Sequence, residues 1–502
     1  MNPTYGSVAV IVVAVATIAI GAFGLRISRT TSDFYVASRS VGPMLNASAI
    51  GGEYLSAASY LGAAGLILAF GADMLWYPVG WTAGYLVLLV LIAAPLRRSG
   101  AYTIPDFAEI RLESTQVRQS ATVLVVLIGW LYLLPQIQGA GLTLRTVTGA
   151  PLWVGEVGVA VVVLVNVVSG GMRSITFVQA FQYWLKLTAL LVPVAFLLIA
   201  WHGDGSPTPT GEWALPLSGA TEHDLYRTYS LILATFLGTM GLPHVLVRFY
   251  TNPDGRAARR TTLLVLCLLG IFYVLPAAYG VLGRVYASDL IGQDRTDAVV
   301  LELPERILGG TSGDLLGALL AAGAFAAFMS TSSGLTVSVA GVISQDVIGR
   351  RLPGVVSFRI ATVVAVTVPL MLALAAQRLP VANSVALAFA VAASTFCPLL
   401  VLGIWWQRLT DAGAIAGMLA GGLASGTAVA ATIVDSDRAG WVGALLSQPA
   451  AWTVPIGFVV MIIVSLATPH RMAPGVVRTM VRLHTPEQLD LDRGPWRPQR
   501  SR

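Results

Sequence analysis

The sequence predicts an all-α polytopic membrane protein with about 13 transmembrane helices, and three observations predict it. Hydrophobic residues make up 56% of the 502 positions and charged residues only 11%, against about 25% charged in soluble domains. Apolar windows of about 19 residues, each long enough to cross a bilayer, recur thirteen times. Two of those windows are interrupted by helix breakers and polar residues, five spans apart.

The first span runs from about Gly6 to Leu25. No basic residue precedes it and Arg26 and Arg29 follow it, the reverse of a signal peptide's charged start, so it reads as a retained span with its N-terminus outside. The others lie near 43–69, 74–96, 120–144, 152–170, 175–200, 228–247, 261–283, 314–340, 358–377, 382–405, 412–434 and 451–468. Loop charge checks the count. With this topology twenty-three arginines fall on inside segments, among them Arg97, Arg98, Arg111, Arg118, Arg248, Arg350 and Arg351, and seven outside, as the positive-inside rule requires. The long outside loops, about 201–227 and 284–313, have room for short surface helices, and the tail after Pro469 is cytoplasmic.

Span 2 contains Gly51-Gly52 and then Glu53. Paired glycines cost roughly 1 kcal/mol each inside a helix, and a carboxylate at mid-membrane costs roughly 2.5–3.5 kcal/mol. A discontinuous helix uses such a combination, because its freed carbonyls and amides hold an ion and a polar solute; a packed small-residue helix face is the alternative. Span 7 repeats the sign at Gly238, Gly241 and Pro243, with His244 just beyond. Five spans apart is odd, so the two broken spans cross in opposite senses, and spans 2–6 and 7–11 read as inverted repeats.

The polar residues left inside the spans are few. In span 9, Ala327, Ser330 and Thr331 share one helix face, and two hydroxyls and a carbonyl are hard oxygen ligands for a small cation. Carbonyls of Gly52 and Leu55 complete about five. Serine and threonine also bond back to their own helix, so the pair alone is ambiguous. Span 6 carries Gln179, Gln182 and Lys186, the one lysine of the chain. Lys186 is too deep to snorkel easily; it is uncharged, paired with Glu53, or a switchable proton carrier. His244 is a packing residue or a proton relay. Span 4 offers Trp130, Tyr132, Gln136 and Gln138, and span 11 offers Ser394 and Thr395, as cavity or interface residues.

Several classes are disfavoured. The arginines are scattered over short loops, which does not suggest nucleic acid. Cys267 and Cys397 both lie in apolar spans, which suggests neither a disulfide framework nor a cysteine metal site. No zinc helix, P-loop or nucleophile–base pair is present, so no enzyme is expected, and the short tail offers no output domain for a sensor.

The stretches SDFYVASRSVGPMLNASAIGGEYLSAASYLG, GGMRSITFVQAFQYWLK, GTMGLPHVLVRFYTNP and AFAAFMSTSSGLTVSVAGVISQDV resemble the sodium:solute symporter family, closest to its acetate and monocarboxylate permease branch. The resemblance, from about Ser32 to Ala467, implies a LeuT-like fold: a 5+5 inverted repeat with one extra N-terminal and two extra C-terminal helices. It divides the chain at 1–40 (extra span and loop), 41–200 (first repeat), 201–227 (outside loop), 228–405 (second repeat), 406–468 (two extra spans) and 469–502 (tail). It implies a multi-pass symporter of the plasma membrane, importing a short monocarboxylate of the acetate, pyruvate or propionate type with sodium and needing no evident protein partner. Its sodium site maps onto Gly52, Leu55, Ala327, Ser330 and Thr331, and its substrate pocket onto Tyr54, Ser56, Ser59, Gln136, Thr239 and Thr395. Glu53, where that branch usually has Asp, Lys186 and His244 are left as coupling or charge residues. A lysine beside the sodium site replaces sodium with a proton-carried charge in related LeuT-like transporters; the hydroxyl pair favours sodium, with Lys186 a static partner of Glu53 or of the substrate.

Overall fold

The computed structural model describes residues 3–27, 31–209, 223–293, 295–349, 352, 354–375, 381–434 and 438–487. Arg29, Arg350, Arg351, Arg378, Arg493, Arg497, Arg500, Arg502 and residues 210–222 of the 201–227 loop lie outside them. Among the described residues the ordered structure is helical.

In chain order the helices that matter here are α1 (Pro3–Ile27), α2 (Pro43–Tyr54), α3 (Ala63–Phe70), α4 (Trp76–Val87), α5 (Ala93–Ser99), α6 (Ile104–Leu112), α7 (Thr115–Thr148) and α8 (Leu152–Gly203). There follow α9 (Asp224–Gly241), α10 (Pro243–Val247), α11 (Gly255–Tyr286), α12 (Val299–Ile307), α13 (Gly310–Val342), α14 (Gly354–Ala375), α15 (Val381–Trp405), α16 (Asp411–Val434), α17 (Ala450–Ala467) and α18 (Val476–His484).

Eleven helical stretches among the described residues are long and apolar enough to cross a membrane. Two of them are too long for one crossing. The stretches Ala58–Ser99 and Leu152–Gly203 run for 42 and 52 residues, where about 20 suffice. Each is split by a glycine at positive φ, Gly71 at 82° and Gly171 at 55°, a backbone that side-chain-bearing residues rarely adopt. Dividing both restores the thirteen spans read from hydropathy. Phe34 packs directly on the Gly171 turn, where a β-carbon would overlap its ring.

Burial orders the spans. The windows within Gly310–Ile348 and Ser384–Trp405 are 83% and 89% buried, whereas that of Pro3–Phe23 is 22%. α13 and α15 therefore form the centre of the bundle, and α1 is peripheral. The 284–313 loop carries the short helix α12, as its length allowed.

Both interrupted spans are present. In the second, α9 ends at Gly241, Leu242 is extended at φ −76°, ψ 116°, and Pro243 opens α10. The ring of a proline excludes the helical conformation from the residue before it, which explains why the break falls there. In the first, α2 continues through Gly51 and Gly52 and breaks later, at Leu55 (φ −72°, ψ 81°), before a π-helical turn over Ala58–Gly62 resumes the span. The expected break at the glycine pair is corrected by three residues. Those glycines serve close packing instead: a β-carbon on Gly52 would overlap the Gln179 carbonyl oxygen, and one on Gly51 would meet the Tyr183 ring at 2.7 Å.

Two arginines fix the Arg-rich end of the bundle. Arg111 of α6 donates to the carbonyls of Gly403, Trp406 and Gln407 at 2.7, 3.0 and 3.2 Å, satisfying acceptors that the end of α15 leaves unpaired. Arg118 of α7 binds Asp106, Glu109 and Asp346 at 2.8, 2.5 and 2.6 Å, tying α6 and α7 to the segment that follows α13.

Candidate ion and solute site

The break in span 2 frees backbone oxygens at the bundle centre, and a lysine takes them. Lys186 of α8 is fully buried. Its Nζ donates to Gly52 O at 2.5 Å, Leu55 O at 2.7 Å and Ser330 Oγ at 3.1 Å. Ser330 Oγ in turn donates to Ala327 O at 3.1 Å, and Thr331 Oγ1 donates to Glu53 O at 2.6 Å. The structure thus brings four of the five residues of the expected cation site, Gly52, Leu55, Ala327 and Ser330, into one hydrogen-bonded group around Nζ, while Thr331 is tied to the neighbouring Glu53 carbonyl. The oxygens have the hard-donor chemistry that a small cation needs, but the Lys186 nitrogen stands among them. A metal ion does not fit on them while Nζ stays in place.

Lys186 is not the partner of Glu53. The Glu53 carboxylate lies against Gly334, and its Oε2 receives Arg248 Nε at 2.6 Å. Arg248 is 1% exposed and also donates to Thr176 Oγ1 at 2.9 Å and to Gln179 Oε1. Gln179 Nε2 reaches back to Ser330 O at 2.8 Å. The two broken spans are therefore bridged by a buried ion pair that the sequence does not disclose, since hydropathy and loop charge place Arg248 on an inside loop. Its signal was its position, four residues after His244 and so one turn beyond the helix break. Gln182 turns away, donating to Thr17 of α1 at 3.2 Å.

Five of the six expected solute residues lie around an aromatic cluster. The Tyr54 hydroxyl meets Thr239 Oγ1 at 2.8 Å, and Ser59 Oγ meets the Tyr273 hydroxyl at 2.9 Å. Gln136 Oε1 accepts from Ala57 N at 3.2 Å, beside Ser56. Thr395 does not belong: its hydroxyl bonds back to Val391 O at 2.8 Å and its methyl lies by Gly422 of α16. Ser394 likewise faces α17 through Thr453 at 2.7 Å. The α15 residue that reaches the cluster is Phe389, with ring centroids 5.9 Å from Tyr132, 6.2 Å from Trp81 and 6.3 Å from Tyr54. His244 sits edge-on to Tyr132 at 5.3 Å. Both its ring nitrogens, Gln136 Nε2 and Ser56 Oγ are buried without a hydrogen-bond partner.

Two broken helices of opposite sense around a buried charge and a set of polar side chains define a secondary transporter with an inverted-repeat fold. The fold is that of a sialic acid symporter described as Na+-coupled, with TM-score 0.71 and 14% identity over 94% of this chain and 98% of that one. Mhp1, a nucleobase-cation-symport transporter, gives 0.58 and 15% over 89% and 98%.

Residues 34–421 match the model of the sodium:solute symporter family, and the chain belongs to that family. It is 32% identical to YwcA of Bacillus subtilis, named an uncharacterized symporter, over 88% of this chain and 90% of that protein. It is 30% identical to a protein of Corynebacterium glutamicum named a monocarboxylic acid transporter, over 87% of each.

Proposed function

We propose that this protein is a secondary active symporter that imports a short-chain monocarboxylate by alternating access, and that the cation at its ion site is the Lys186 ammonium, so that a proton carried by Lys186 is the coupling ion. The observation that carries the coupling reading is the hold of Nζ on Gly52 O, Leu55 O and Ser330 Oγ. A sodium ion on the same carbonyls would stand within about 4 Å of Nζ, where two unit charges repel by about 4 kcal/mol at an effective dielectric of ~20. The monocarboxylate reading draws on the Corynebacterium relative's name and on the buried, unpartnered donors of Ser56, Gln136 and His244. The organisation in the plasma membrane follows the arginine asymmetry: N-terminus outside, C-terminus cytoplasmic, repeats at 41–200 and 228–405.

Sodium coupling is the second reading, favoured by the Ser330 and Thr331 hydroxyls, by the family and by the Na+-coupled sialic acid symporter. In it Lys186 leaves the carbonyls or is uncharged when sodium binds. Uptake of labelled acetate, pyruvate or propionate into proteoliposomes, with sodium and pH gradients imposed separately, separates the two. Proton coupling gives sodium-free uptake driven by an inward proton gradient and lost in Lys186→Gln. Uptake that requires sodium and ignores the pH gradient overturns it.

A further inference from the structure

Four of the hydrogen-bonding atoms that the bundle buries without partners, on Ser56, Gln136 and His244, belong to residues next to one face of α7. Tyr132 and Gln136 are one turn apart on that helix. The His244 ring lies against Tyr132 at 5.3 Å, while the Gln136 amide is anchored through Oε1 to Ala57 N, which leaves its Nε2 unpaired next to Ser56. Ser56 Oγ, Gln136 Nε2 and both His244 nitrogens have no hydrogen-bond partner, and all three residues are at most 1% exposed. Leaving such groups unpaired in a dry interior is unfavourable, so their meeting point is where a polar molecule is received. A hydroxyl, an amide NH2 and an imidazole N–H are the complement of an acceptor-only carboxylate.

Beyond this polar end the boundary is aromatic. Phe389 touches the rings of Tyr132, Trp81 and Tyr54, contributed by three other segments. Its backbone has no room to retreat, because Gly238 of α9 is packed on the Phe389 carbonyl, where a β-carbon would come within 2.5 Å of the oxygen. A ring braced on three sides is a hard stop: each methylene added to a ligand's chain must displace it, and overfilling a packed interior is destabilising.

We infer that Phe389 sets the length of the acyl chain this carrier accepts, closing the apolar end of a pocket whose polar end is Ser56, Gln136 and His244. The inference rests on the monocarboxylate reading above and deepens it. The test is isothermal titration of the purified full chain in nanodiscs with acetate, propionate, butyrate and hexanoate. The wild type binds the two- to four-carbon acids and discriminates against hexanoate. Phe389→Ala raises the hexanoate-to-propionate affinity ratio by about tenfold, the scale at which a few methylenes are discriminated in an apolar pocket, and Phe389→Leu, which keeps most of the packing, raises it less. Gln136→Leu weakens all four acids alike and leaves the ratio unchanged. Binding with an unaltered ratio in both Phe389 variants overturns the assignment to Phe389 alone. Failure of the wild type to bind any of the four acids overturns the monocarboxylate reading, and this one with it.

Discussion

Arg248 and Glu53 meet in the part of the molecule where an unpaired charge is least tolerable. Glu53 leaves Oε1 without a hydrogen-bond partner, so its ion pair is the contact of Oε2 with Arg248. Removing one member of a buried pair typically costs 3–5 kcal/mol, whereas removing both charges costs far less. Arg248→Gln and Glu53→Gln should each lower the melting temperature of the detergent-solubilised protein strongly, and the double variant should melt well above the value that summing the two losses gives. Strict additivity of the two losses would show that the pair is not a unit. Lys186 differs in kind, since it has three oxygen partners and no counter-ion within salt-bridge distance among the described residues; its substitution tests coupling rather than folding.

At the scale of elements, the charged link between α6, α7 and the segment after α13 is centred on one guanidinium. Arg118 gathers Asp106, Glu109 and Asp346, and Thr122 Oγ1 closes the group on Asp346. Asp106 also caps α6, receiving the amides of Tyr102 and Thr103 at 3.1 Å each. Burial pushes the Asp106 carboxyl up to about 6, against the pull of the Arg118 guanidinium. A carboxyl raised above its unfolded value of about 3.9 stabilises the fold most at low pH, and that contribution is lost as pH rises through about 6. Arg118→Ala leaves three carboxylates facing one another. The variant should lose several kcal/mol, in the range of about 3–5 for a broken buried pair, and the loss should shrink as pH falls from 8 to 5 and the carboxyls take up protons. Thermal unfolding of both proteins at the two pH values checks this; a pH-independent deficit would show that the carboxylates do not repel as described.

For the whole molecule the quantity that matters is net charge moved per cycle. One proton, or one sodium ion, travelling with one monocarboxylate moves no net charge. Uptake into proteoliposomes should then be unaffected by a potassium diffusion potential, whereas a second cation would add about 2.3 kcal/mol per 100 mV and make uptake follow the voltage. Stimulation of uptake by an inside-negative potential would overturn the one-to-one ratio while leaving the identity of the cation to the gradient experiment.

How much of this was legible beforehand follows from which interactions are local. The sequence by itself determined the number of crossings, because hydropathy adds up residue by residue along a window, and the splits at Gly71 and Gly171 are punctuation within that pattern. It also determined the break before Pro243, since a proline acts on its own neighbour. Ala327, Ser330 and Thr331 could be grouped as candidate ion ligands because they share a face by helical geometry alone. The tertiary structure decided everything that depends on which face of one apolar helix meets which face of another. A span surrounded by protein is apolar all round, so its sequence carries little record of its rotation. Hence Thr395 and Ser394 turn towards α16 and α17 while Phe389 faces the cluster, and Gly51 and Gly52 make close contacts instead of the break. Glu53 takes Arg248 rather than Lys186 for the same reason: the partner of a buried charge is fixed by packing across the two repeats, 195 positions apart in the chain, and no local rule reaches that far.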